Sequence, residues 1–121
     1  MLPIFIENNS AAKCYCYMAM DFIAAKSKKE SLNSSKFYAL EENLHGAIFL
    51  VAQSKVEFPV LWQIQDYYAD GIFLYGELSL LKKELQRITQ MGMKKTPALD
   101  TLLYFIDQAI QDQNNIYVLA D

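Results

Sequence analysis

Residues 78–110 read LSLLKKELQRITQMGMKKTPALDTLLYFIDQAI and predict two amphipathic helices in succession. The first helix has an apolar side chain every three or four residues, at Leu78, Leu81, Leu85 and Ile88. The second helix repeats this spacing at Leu99, Leu102, Leu103, Ile106 and Ile110. Between them, Gly92 suits a left-handed helix end, and Thr96-Pro97 suits an N-cap followed by a first-turn proline. The solvent side of the first helix is predicted to hold Lys82, Lys83, Glu84, Gln86 and Arg87.

The chain before residue 78 also favours helices. A helix is predicted from Ala11 to about Lys26, on the spacing of Tyr15, Met18, Phe22 and Ile23. Another is predicted to begin at Ser34 or Ser35, on the stripe Phe37, Leu40, Leu44, Ala47, Ile48 and Val51. Pro59 and Gly71 suit the first turn and the end of a short helix between them.

These elements predict a mostly α fold, a compact helical domain of four long helices and one short helix. Pro3–Ile6 and Ile116–Leu119 are short and apolar, as strands are, and Ile72–Tyr75 suits a strand or a buried loop. Pairing of the two terminal strands would add a small sheet, so an α+β fold is the alternative. The length of 121 residues suits a single domain over 1–121.

Composition excludes several classes of protein. The net charge of -3 and the pI near 5.1 argue against a nucleic-acid binder that depends on phosphate neutralisation. The glycines at 46, 71, 76 and 92 are too scattered to form a phosphate-binding loop. The longest apolar run, 47–52, is too short to span a bilayer, and the N-terminus lacks the pattern of a secretory signal. We therefore expect a cytoplasmic protein with no direct nucleic-acid partner and no membrane contact.

The residues that most often carry chemistry are few. A nucleophile–histidine pair would have to use His45, the sole histidine, and a zinc site would need His45 together with Cys14 and Cys16. Two residues apart on a helix, the cysteines point in different directions. A hydrogen-bonded structural histidine or a surface histidine is the expectation, and we predict no catalytic residue, no metal site and no cofactor.

The charges are sorted along the chain. No lysine or arginine lies between Lys55 and Lys82, and none follows Lys95. The first of these gaps contains the aromatic residues Trp62, Tyr67 and Tyr68 together with Asp66 and Asp70. The two aspartates are four residues apart and would share one face of the short helix. The second gap holds Asp100, Asp107, Asp112 and Asp121. Such local acidic stretches favour encounter with a basic partner.

Residues 59–121 resemble small immunity proteins of bacterial polymorphic-toxin and contact-dependent growth inhibition systems. The resemblance rests on PVLWQIQDYYADG at 59–71, Glu77-Leu78, Lys83-Glu84-Leu85, LDTLLYFIDQA at 99–109 and YVLAD at 117–121. It implies a cytoplasmic protein, without catalytic residues, that binds and neutralises a cognate toxin, often a nuclease. The implied partner is a toxin domain with a basic binding face.

Three hypotheses about function follow. In the first, an immunity protein contacts its toxin through Asp66, Tyr67, Tyr68 and Asp70, or through Asp107 and Asp112 on the last helix. In the second, a helical adaptor or regulatory subunit binds another protein partner. In the third, a small enzyme or ligand-binding bundle uses His45 and a carboxylate.

Overall fold

The centre of the molecule is a four-stranded antiparallel sheet. The structure, a computed structural model, describes residues 19–120. Its strands are β1 (Met20–Ala25), β2 (Phe37–Leu40), β3 (Gly71–Phe73) and β4 (Asn115–Leu119). They lie in the order β2-β1-β4-β3, so β1 and β4 are central and β2 and β3 are the edges.

Within the described residues, four α-helices and two 3-10 helices accompany the sheet. The α-helices are α1 (Lys28–Ser31), α2 (Glu42–Val51), α3 (Leu78–Gln90) and α4 (Pro97–Gln111). The 3-10 helices cover Leu61–Ile64 and Tyr75–Glu77. No helix within residues 19–120 combines the length and the apolar character needed to cross a membrane.

The predicted mostly α fold is wrong, and the chain is α+β. The described part of the predicted helix at 11–26 is strand β1, whose alternate residues Met20, Phe22 and Ala24 are buried. Alternation of burial at a period of two is the signature of a strand with one face on a core. Phe22 and Ile23 fit either period, so their spacing alone could not decide between helix and strand.

The helix predicted after a cap at Ser34 or Ser35 begins six or seven residues too early, because the observed N-cap is Glu41. Ser34 caps no helix there, because its hydroxyl donates to the carbonyl of Ala24 at 2.7 Å and accepts the Lys36 amide proton at 3.1 Å. The same polar side chain therefore joins β2 to β1, and Phe37–Leu40 continues as a strand. Helix α2 starts only at Glu42.

The predicted elements at the C-terminal end are confirmed. Gly92, just past α3, has a φ of 114°, and the Thr96 hydroxyl accepts the Leu99 amide proton at 3.2 Å to start α4. The strand predicted at Ile116–Leu119 is β4, which pairs with both β1 and β3. The strand predicted at Pro3–Ile6 lies outside the described residues.

The hydrophobic core joins one face of the sheet to the apolar stripes of α3 and α4. It contains Phe22, Phe73 and Val118 from the sheet, all at most 1% exposed, in one cluster with the buried leucines and isoleucines of both helices. Helix α2 adds Ile48, which is completely buried. This packing fixes the loops that connect the sheet to the helices.

Glu84 is an exception to the expected solvent side of α3, since it is buried. Its carboxylate accepts the backbone amide protons of Leu61 at 2.8 Å and Val60 at 3.3 Å. These amides lie at the start of a 3-10 helix, where a helix has no partners of its own for its first N–H groups. The side chain thereby attaches the segment before residue 65 to α3.

Replacing Glu84 by leucine should leave both amides buried without an acceptor. We expect Glu84→Leu to lower the free energy of unfolding by about 2–4 kcal/mol, as two unsatisfied donors cost roughly 1–3 kcal/mol each. Glu84→Gln keeps one acceptor oxygen and should lose about half as much. Urea denaturation measures both values, and a leucine variant as stable as the parent would contradict this role.

Candidate functional site

The segment with Asp66 and Asp70 is a loop with hydrogen bonds both inside it and to the rest of the fold. The Asp66 carboxylate accepts the Tyr68 amide proton at 2.9 Å, and the Asp70 carboxylate accepts the Ala120 amide proton at 2.8 Å. Tyr67 donates its hydroxyl proton to the carbonyl of Leu40 at 2.9 Å. The predicted short helix covers only Leu61–Ile64, so the placement of Asp66 and Asp70 on one helix face is wrong.

The two adjacent tyrosines of this loop have opposite environments. Tyr67 is 8% exposed, and its ring lies 4.9 Å from that of His45 in α2, measured between ring centroids. Tyr68 is 60% exposed, and its ring stands edge-on to Tyr67 at 5.6 Å. Of the two tyrosines, Tyr68 faces solvent. Tyr67 offers a partner little surface.

Exposed carboxylates lie in the same loop as Tyr68 and in the chain segment that this loop contacts. Asp66 and Asp70 flank Tyr68 in the loop, and Glu41 and Glu42 lie at the start of α2, next to the Leu40 carbonyl that Tyr67 contacts. Within residues 19–120, no lysine or arginine nitrogen lies within 4 Å of any of the four. We call these five residues the Tyr68 surface.

The acidic residues predicted as a second surface on α4 have basic partners. Asp107 is 2.6 Å from the Lys82 ammonium, and Asp112 is 2.8 Å from the Lys36 ammonium. Lys26 also donates to the backbone carbonyl of Asp112. The six predicted partner-binding residues therefore fall into two groups. Asp66, Tyr67, Tyr68 and Asp70 lie together in the loop, whereas Asp107 and Asp112 lie elsewhere, along and at the end of α4, and are each paired with a lysine.

The side chain of His45 is buried and hydrogen-bonded within the fold. Its Nε2 lies 2.7 Å from the carbonyl oxygen of Ile64, so that nitrogen carries a proton and donates. The ring is 8% exposed and packs between Phe49 at 4.7 Å and Tyr67 at 4.9 Å. Cys14 and Cys16 lie outside the described residues. Within 19–120, no three histidine, cysteine or acidic side chains form a group that could hold a metal ion.

A groove between β2 and α4 was missed by the sequence analysis. Its volume is about 570 Å³, and its walls include Tyr38 from β2 and Thr101, Tyr104, Phe105 and Gln108 from α4. Phe37–Leu40 was predicted to be part of a helix, and a groove beside a strand could not be predicted on that basis. The adjacent aromatic residues Phe37 and Tyr38 could have indicated a strand, because aromatic residues favour strands.

Tyr38 forms the floor of this groove. Its hydroxyl donates to the carbonyl of Ala98 at 3.1 Å, and its ring lies 6.1 Å from that of Phe105. Burial, and to a lesser extent the carboxylate of Glu41, raises the pKa of Tyr38 to about 12 from its ordinary value of 10.0.

The two tyrosines of the loop predict contrasting effects on stability. Tyr67→Ala should lower the free energy of unfolding by about 3 kcal/mol or more, because it removes a buried aromatic ring. Tyr68→Ala should cost no more than about 1 kcal/mol, since only an edge-on ring contact is lost. Urea denaturation of both variants measures the difference, and equal losses would contradict the orientation described.

The raised pKa of Tyr38 predicts a loss of stability at high pH. The folded chain holds this proton more tightly than the unfolded chain, so the stabilisation is complete below pH 10 and is lost as the pH rises to about 12. Tyr38→Phe should therefore lose less free energy of unfolding than the parent between about pH 9 and pH 11.5. Urea denaturation at both pH values gives the comparison, and an equal loss in the two proteins would be the contrary result.

The comparisons with known proteins leave the family of this chain open. No family model, no curated protein and no solved structure matches it. The resemblance of residues 59–121 to immunity proteins therefore stays a prediction, and the functional argument rests on the surfaces described above.

Proposed function

We propose that this chain is an immunity protein, which binds a cognate bacterial toxin stoichiometrically through the Tyr68 surface and so neutralises it. The observation that supports the proposal is the exposed ring of Tyr68 in a loop with Asp66 and Asp70. The loop contacts the segment that carries Glu41 and Glu42, and none of these four carboxylates has a basic partner within residues 19–120. The protein would act without catalysis and without a cofactor, in the cytoplasm, where the toxin would otherwise damage the cell.

The chemistry of the Tyr68 surface fits a basic protein partner. Tyrosine gives a large contact area with few rotatable bonds and is enriched among the residues that dominate binding energy. Carboxylates around it speed the approach of a positively charged surface. A nuclease would present such a surface, because its groove must attract the phosphates of nucleic acid.

The loop is also held firmly enough to act as a binding surface. Hydrogen bonds from Tyr67 to Leu40 and from Ala120 to Asp70 connect it to β2 and to the end of β4. A surface that is ordered before binding loses less conformational entropy when the partner arrives. The carboxylates of Asp107 and Asp112 fit the role less well, because each already has a lysine partner.

The proposal predicts that charge at the loop controls association. The partner to use is a toxin encoded by a neighbouring open reading frame, identified by its toxicity on expression, and the variant is Asp66→Asn with Asp70→Asn. Asparagine keeps a carbonyl oxygen for each loop hydrogen bond, so the change removes charge and preserves the backbone. Association should slow about tenfold at 50 mM salt and only about twofold at 500 mM salt, where screening is strong.

The matched control is Asp107→Asn with Asp112→Asn, which changes the net charge by the same amount on α4. It should alter the association rate by less than about twofold, because those charges are already compensated. Stopped-flow fluorescence measures the rates, and growth of cells that express the toxin measures protection. A toxin that the parent protein neither binds nor neutralises would contradict the proposed function, and equal effects of the two double variants would contradict the assigned surface.

A further inference from the structure

Among residues 19–120, strand β2 pairs with another strand on one side only, so its other edge is open. The Ala24 amide donates to the Lys36 carbonyl at 2.9 Å, and the register continues with Phe22 opposite Tyr38. In an antiparallel pair, every second residue bonds to the neighbouring strand and the residues between point the other way. Lys36 and Tyr38 therefore bond towards β1, and the backbone N–H and C=O groups of Phe37 and Ala39 face outward.

This edge lacks the usual protection. Natural edge strands are blocked by charged residues, by proline or by a covering segment, yet Phe37–Leu40 contains neither charge nor proline. The other edge, β3, has only three residues, and a Cβ on Gly71 would lie 3.6 Å from the Gln63 carbonyl oxygen, so backbone passes close to it. Within the described residues, β2 is the better template for strand addition.

The groove between β2 and α4 runs beside the open edge. Phe37 is 63% exposed at one side, and Tyr104 of α4 is 66% exposed across the groove. A strand that pairs with β2 would direct alternate side chains into the groove and the others away from it. Main-chain hydrogen bonds with pockets for alternate side chains are the features of peptide recognition by strand addition.

A second copy of this chain does not complete the groove. The β2 side chains on the face of the sheet that packs against α4 are Tyr38 and Leu40, and both already pack within their own chain. Tyr38 packs on Phe105 and bonds to Ala98, and Leu40 is fully buried. Pairing of β2 with its own copy would satisfy the backbone groups and leave about 570 Å³ of groove without side chains.

The charges at the two ends of β2 are unequal. Lys36 at the first end is paired with Asp112 at 2.8 Å, whereas Glu41 follows the last residue of β2 without a basic partner among residues 19–120. A lysine or arginine in an incoming segment would be stabilised beside Glu41, and an acidic residue there would be repelled.

We propose that the β2 edge and the β2–α4 groove form a binding site for an extended segment of a partner protein. The segment adds to β2 as a fifth strand, places alternate apolar side chains between Tyr38 and Tyr104, and carries a basic residue beside Glu41. This site shares Glu41 with the Tyr68 surface, but it does not depend on the function proposed for that surface.

The test begins with a phage-displayed library of random twelve-residue peptides, which is selected for binding to the full-length protein. The enriched peptides are then synthesised, and their binding to the protein is measured in solution. Two variants challenge the site. Ala39→Pro removes an outward-facing N–H on an edge strand, a position where proline is tolerated, and Tyr104→Lys places a charge at the groove wall without touching the core. Leu50→Lys is the matched control, since Leu50 is 74% exposed on α2 and does not line the groove.

The expected peptides alternate apolar and other residues and carry lysine or arginine at one end. Their affinity, measured by calorimetry, should fall at least about tenfold for Tyr104→Lys and for Ala39→Pro and stay unchanged for Leu50→Lys. Hydrogen exchange at the Phe37 and Ala39 amides should slow when peptide binds. If Ala39→Pro does not fold, Tyr104→Lys and the exchange measurement decide the outcome.

Several results would overturn the proposal. A selection without enriched peptides would do so, as would peptides that bind Tyr104→Lys as tightly as the parent. Slow exchange at Phe37 and Ala39 in the free monomer would show that the chain itself covers the edge. Exchange that slows with protein concentration alone would assign the edge to a second copy.

Discussion

The pairing of β1 with β4 is the constraint on which the rest of the structure depends. It joins Met20–Ala25 to Asn115–Leu119, so the chain closes across some ninety residues at the centre of the sheet. With both central positions filled, β2 and β3 must be edges. Closing so long a loop costs chain entropy. Burial of one face of the sheet against α3 and α4 in a common hydrophobic core offsets this cost.

This closure also determines where the two proposed surfaces lie. The end of β4 holds the loop of residues 65–70, because the Ala120 amide bonds to Asp70. Strand β2 lies beside β1 and presents its outer edge next to α4. The two surfaces meet at the end of β2, where the Leu40 carbonyl accepts the Tyr67 hydroxyl proton and Glu41 raises the pKa of Tyr38. A partner could therefore contact one surface or extend across both.

The sequence predicted the parts of the fold that local signals determine. The stripes of α3 and α4, the left-handed Gly92 and the Thr96 cap are all encoded within a few residues of where they act. Strands β1 and β2 were missed because Phe22, Ile23, Phe37 and Leu40 suit two periodicities, and only pairing partners far along the chain decide between them. Glu84 was placed in solvent for the same reason, since the amides that it binds lie more than twenty residues away. For the candidate site, the sequence identified Tyr68, Asp66 and Asp70, but it could not see the groove or the lysines that compensate Asp107 and Asp112.

The Tyr68 surface is proposed to contact a protein partner. Hydrogen–deuterium exchange of the one-to-one complex with the toxin domain, compared with the free chain, measures this contact. We expect slower exchange in residues 65–70 and in the first turn of α2, with α3 unchanged. Slower exchange confined to α3, or an unchanged loop in a complex that does form, would contradict it.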